Sequence, residues 1–178
     1  MNQIPVAIPY RINNELGQAY NYLMESIEDW VIFIHHDILL GLNPFWHQIC
    51  LDAIEKVGHK AGWITCRVNT GRKEQKINES SKEIEGHYNL AKKRYKQYKG
   101  QLTDVTDTCE KFAGNFILTH KKAWKDAEGF KEGFMGVDFN YYYRLRKAGY
   151  RFYVMEDLYV YHLYKREHKT NDFGSMNV

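Results

Sequence analysis

A chain of 178 residues, 44% hydrophobic and 26% charged, has the make-up of one globular domain with a sizeable core, which excludes a disordered or fibrous protein. Its net charge of +3 is too small to mark a nucleic-acid binder on its own. No apolar stretch approaches the roughly 20 residues of a membrane span, and no signal-peptide pattern opens the chain, so a soluble, cytoplasmic protein without a transmembrane segment is expected.

Ile4 to Pro9 is a short apolar strand candidate punctuated by prolines, followed by a polar turn over residues 10 to 14. Leu16, Ala19, Tyr20, Leu23 and Ile27 recur at helical spacing and predict a helix over 16–27. Trp30-Val31-Ile32-Phe33-Ile34 is continuously apolar, the mark of a strand covered on both faces, and it runs straight into His35-His36-Asp37. Pro44 and Gly58 bracket a second helix, and Trp63 to Val68 is the next strand.

Residues 79 to 99 predict a helix whose apolar stripe is Ile84, Tyr88, Ala91, Tyr95 and Tyr98. Residues 72 to 99 hold nine Lys/Arg against four Asp/Glu. This basic face is either simply solvated or a surface for an anionic acceptor or membrane. Phe112 to Thr119 reads as a strand, Lys121 to Ala127 as a short helix, and residues 129 to 134 as a glycine-punctuated loop. Asp138 to Lys147 predicts a helix stopped by Gly149, before two late strands, Tyr150 to Val154 and Leu158 to Tyr161. The domain is expected to span residues 1–164, with a polar tail over 165–178. Strands alternating with helices indicate an α/β fold, and ligands of open α/β sheets bind at the carboxyl ends of the strands. Cys50, Cys66 and Cys109 lack metal-knuckle spacing and read as reduced thiols.

Three segments carry chemistry. On a strand His35 and Asp37 share a side while His36 faces away, although a turn at the strand's end could bring His36 back. A carboxylate suits Mg²⁺ or Mn²⁺, and imidazole tilts the preference towards Mn²⁺. The alternative is a hydrogen-bonded histidine pair with Asp37 capping a turn. Asp138, at a helix start, is either an N-cap or a general base within reach of an acceptor hydroxyl. His162, at the end of the last strand, is either structural or a metal ligand closing the site opposite Asp37.

Taken in order, these pieces resemble a GT-A-type glycosyltransferase of the nucleotide-sugar-dependent, family-2-like group, in a short single-domain version. The resemblance covers roughly residues 4 to 164. Residues 4 to 11 look like the first strand and its nucleotide-contacting end, with Pro9, Tyr10 and Arg11 there. Leu16 to Asn21 looks like the helix under the donor. Trp30 to Asp37 resembles the strand ending in the DxD metal motif, with His35 at its first position. Gly114 and Asn115 resemble the strand lining the sugar pocket. Trp124 and Gly129 to Glu132 resemble the acceptor-side segment. Gly136-Val137-Asp138 stands where the xED base belongs, with Val137 in place of Glu, and His162 matches the family's metal-binding histidine. The interval from Pro9 to Trp30 leaves no room for the family's usual second strand and its nucleotide-binding acid.

The resemblance implies a mostly parallel, Rossmann-like mixed sheet flanked by helices. It implies an inverting transfer from a nucleotide-sugar donor to a glycan or other hydroxyl-bearing acceptor, with no nucleic-acid partner. Asp37, His35 and His162 would hold Mn²⁺ or Mg²⁺, and Asp138 would be the base. Pro9, Tyr10, Arg11, Asn21, His36, Gly114 and Asn115 would contact the donor. The competing readings are a metal-dependent phosphohydrolase and a non-catalytic module binding a nucleotide sugar or nucleic acid.

Overall fold

The computed structural model describes residues 3–10, 15–79 and 81–163. Its strands are β1 (Val6–Ala7), β2 (Trp30–Ile34), β3 (Ile38–Leu39), β4 (Ala61–Val68), β5 (Leu102–Asp104), β6 (Phe116–His120) and β7 (Arg151–His162). Its helices are α1 (Leu16–Ser26), α2 (Trp46–Val57), α3 (Ile84–Tyr98), α4 (Lys121–Asp126) and α5 (Val137–Lys147). One sheet contains all the strands in the order β1-β2-β6-β4-β7-β3, with β5 also pairing β7. The pairs β1–β2 and β4–β7 are parallel and the other four antiparallel. Four of the seven strands, β1, β2, β4 and β7, therefore point one way, in the expected mixed α/β sheet flanked by helices.

Burial on both faces explains the continuous apolar run of β2, all five residues of which are buried. Val31 and Phe33 join Tyr20 and Met24 of α1, Ala123 of α4 and Tyr141, Tyr142 and Leu145 of α5 in one core layer. Trp30, Ile32 and Ile34 face the opposite layer with Ile49, Cys50 and Ala53 of α2. Successive strand side chains point to opposite faces, so a strand sandwiched between helices has no polar face to alternate with. Cys50, Cys66 and Cys109 are free and buried.

Several elements differ from the sequence expectation. The first strand shrinks to two residues, although Ile4 is buried. The expected stripe on α3 is only partly its buried face: Ala91 is buried and Tyr95 and Tyr98 half-buried, but Ile84 is 50% and Tyr88 42% exposed, and His87, Leu90 and Arg94 are buried instead. Polar partners drive this choice, because His87 Nδ1 meets the Tyr159 hydroxyl at 2.8 Å and Arg94 donates to the Glu156 carbonyl. The two late strands are one, β7, with an irregularity at Glu156-Asp157-Leu158, since Cys66 pairs with Met155 and Arg67 with Tyr159. The expected tail over 165–178, Arg11 and most of the 10–14 turn lie outside the described residues. Among the described residues no helix is long and apolar enough to cross a membrane.

Candidate metal centre

Because β1, β2, β4 and β7 share a direction, their carboxyl ends and the start of antiparallel β6 lie at one end of the sheet. The chain leaving β2 turns at once, with the Ile38 N–H donating to the His35 carbonyl at 3.1 Å. It then pairs as β3 along β7, where Ile38 lies opposite His162 and the Leu163 N–H donates to the Asp37 carbonyl at 3.0 Å. This short ladder brings together two side chains 125 positions apart in the sequence: His162 Nε2 is 3.0 Å from Asp37 Oδ2. The His35 ring lies edge-on to that of His162, with centroids 5.8 Å apart. One ligand atom from each of His35, Asp37 and His162 falls within 4.8 Å of the others. Asp37 is buried, His35 half-buried and His36 exposed, so the turn keeps the strand's alternation and leaves His36 outside the group.

The loop after β4 braces this group. The Asn69 side chain clamps His162 by accepting from its N–H (2.7 Å) and donating to its carbonyl (3.0 Å), and Thr70 Oγ1 lies 3.2 Å from His162 Nδ1. Asn115 donates to the Thr70 carbonyl and accepts from Gln75, which is fully buried and also bonds Thr65 and both backbone groups of Ala113. Nothing in the sequence singled out Asn69, Thr70 or Gln75, which read as ordinary turn residues.

Asp138 sits in the first turn of α5, two residues after Gly136 in the left-handed region. It is not the helix cap. Its Oδ1 accepts from the Phe139 N–H and its Oδ2 from the Gly114 N–H, each at 2.8 Å. A Cβ at position 114 would come 2.8 Å from Asp138 Cβ, so a glycine is what lets this carboxylate reach the start of β6. Tyr20 was also missed: its hydroxyl is buried with no hydrogen-bond partner among the described residues, and Asp138 is near enough to add to the upward push that burial gives it.

Burial lowers the His35 pKa, the neighbouring His162 lowers it further, and Asp37 and Asp138 partly oppose them. A depressed value keeps the imidazole neutral and available as a ligand. Two imidazoles and one carboxylate fit a divalent ion, and the nitrogen donors suit Mn²⁺ better than Mg²⁺, which prefers all-oxygen shells.

The remaining expected residues are spread more widely. Pro9 is buried and Tyr10 75% exposed, and the parallel β1–β2 register brings them off the sheet at the same end as His35. The Asn115 side chain is committed to the loop bracing. Asn21 holds the segment after α4, donating to the Phe130 carbonyl and accepting from the Trp124 indole and Phe130 N–H. It also lines a cavity of about 610 Å³ between α1 and α4 with Gln18, Tyr22, Trp124 and Glu132. None of the three metal-capable residues lines that cavity, so its size does not make it the site of the chemistry. No protein-family model matches this chain, and comparison with curated proteins finds no match.

Proposed function

We propose that this chain is a metal-dependent glycosyltransferase of GT-A type that moves a sugar from a nucleoside-diphosphate donor to an acceptor hydroxyl with inversion. The observation that carries this reading is one geometry: two imidazoles and a carboxylate gathered at the shared carboxyl end of the parallel strands, with a separately held carboxylate, Asp138, near His35. His35, Asp37 and His162 would hold Mn²⁺ or Mg²⁺, which when bound supplies Lewis-acid stabilisation of the charge left on the departing diphosphate. Asp138 is fixed by two backbone N–H groups and keeps lone pairs on both oxygens for an acceptor hydroxyl. It takes that proton as the hydroxyl oxygen bonds to the anomeric carbon and the carbon–oxygen bond to the diphosphate breaks. A single displacement of this kind inverts the sugar and needs no second nucleophilic carboxylate.

The test is a thermal-shift screen of UDP-, GDP-, dTDP- and CMP-sugars with and without Mn²⁺. One donor is expected to raise the melting temperature in a Mn²⁺-dependent manner that EDTA reverses, since a ligand at about 100 times its Kd adds about 2.7 kcal/mol. Asp138→Asn is expected to keep that shift and lower transfer by about 10² to 10⁴. No shift with any donor sinks the reading. Release of phosphate without an acceptor would favour a phosphohydrolase instead.

A further inference from the structure

The flank of α3 that the described residues leave uncovered is both apolar and basic. Ile84 and Tyr88 lie on it, and Phe45, just before α2, is 53% exposed and stacks on Tyr95 with ring centroids 5.1 Å apart. The Lys92 ammonium lies 5.2 Å from the centre of the Tyr88 ring and that of Lys99 5.8 Å from the Tyr95 ring, with Lys96 exposed one turn before Gly100. Lys93 is bridged to Glu79 at 2.8 Å, and Glu85 is the acidic residue of the helix itself. Three lysines thus border an exposed aromatic and aliphatic stripe and face solvent. At 15 residues the helix is too short and too polar to span a bilayer.

We propose that this flank docks the protein on an anionic lipid surface. The pattern matches what an interfacial helix requires: apolar side chains to enter the headgroup boundary, tyrosines whose hydroxyls stay at headgroup level, and lysines for lipid phosphates. Ile84 offers no plane on which a base could stack, and Phe45 and Tyr95 already stack on each other, which argues against a single-stranded nucleic acid as the partner. The inner face of the same helix is tied to β7, where His87 stacks on Tyr161 with centroids 3.7 Å apart. Docking by the outer flank therefore leaves β7 one helix diameter, roughly 10 Å, from the lipid. The proposal rests on this surface and is independent of the metal-centre reading.

The experiment is flotation of the full chain with vesicles of phosphatidylcholine alone and of phosphatidylcholine with phosphatidylglycerol. Binding is expected with the anionic vesicles only, weakening as salt is raised. The triple reversal Lys92→Glu, Lys96→Glu, Lys99→Glu is expected to lower partitioning by about a hundredfold or more. The pair Ile84→Ser, Tyr88→Ser is expected to lower it about tenfold. All five positions are exposed, and an unchanged circular dichroism spectrum verifies folding of each variant. No binding of the wild type to anionic vesicles, or unchanged binding by the triple reversal, overturns the proposal. So does tighter binding to a single-stranded oligonucleotide than to the vesicles. Unchanged binding by the serine pair overturns the insertion of the stripe.

Discussion

The imidazole of His162 is fixed by contacts that do not involve Nε2, the nitrogen that faces Asp37. With Asn69 holding its backbone and Thr70 beside Nδ1, the ring is oriented so that Nε2 points at Asp37. Partners of this kind set the tautomer and aim of a ligating histidine. Thr70→Val is expected to weaken Mn²⁺ binding by about 10- to 100-fold in a calorimetric titration, and Thr70→Ser to restore it. His35, Asp37, Asp138 and His162 were legible as candidates because strand ends and helix starts can be read from the apolar pattern. Their bracing was not, because the partners of Gln75 and Asn69 are set by a loop whose path no periodicity encodes.

A second residue-scale consequence concerns acid. His120 caps α4 by accepting the Ala123 N–H at Nδ1 and faces the Ala61 carbonyl with Nε2, so the fold uses the neutral ring with its proton on Nε2. Burial, helped by His59, brings its pKa down to about 4. Between pH 6.5 and 4 the unfolded chain binds a proton that the folded chain refuses, so this contribution to stability is complete above 6.5 and is lost as pH falls towards 4. His35 acts in the same sense. Urea denaturation at intervals from pH 7 to 4 is expected to show this decline, with a shallower slope in His120→Gln.

At the scale of elements, β7 decides most of the architecture. Its irregularity at residues 156–158 turns Glu156 inward, where Arg67 makes a two-point contact with the carboxylate and Arg94 and Thr103 add one bond each. Removing one partner of a buried, hydrogen-bonded ion group leaves the others uncompensated. Glu156→Gln is expected to cost about 3 kcal/mol or more in chemical denaturation, since two guanidiniums then share a neutral acceptor. The charged Glu156-Asp157 pair interrupts the apolar run in the sequence, which is why one strand looks like two. The same network explains why α3 was readable as a helix but not in its orientation. Its inward residues include His87 and Arg94, whose partners lie more than 60 positions away in sequence. Strands of two or three residues, such as β3 and β5, carry too few side chains to show a period, so they too escape a reading of the pattern.

Across the whole molecule, the best-protected region is the centre of the sheet. Ile32, Leu118 and Ile64 are consecutive partners across β2, β6 and β4, and all three are fully buried. Their amides are expected to exchange with solvent only through global unfolding, while Val6 and Ala7 at the edge exchange sooner, a contrast that native-state hydrogen exchange measures directly. The alternation of strands and helices made this α/β organisation legible, but strand order was not, because β7 enters between β4 and the pieces before it. The short ladder of β3 on β7 has one more consequence, this time for synthesis. On the ribosome, His35 and Asp37 emerge early and then wait for more than a hundred residues before His162 follows. A nascent chain holding every element up to α5 still lacks the third donor. The strand that supplies it also joins β4 to β3 in the sheet, so an ion held by all three donors could bind only after that strand is in place.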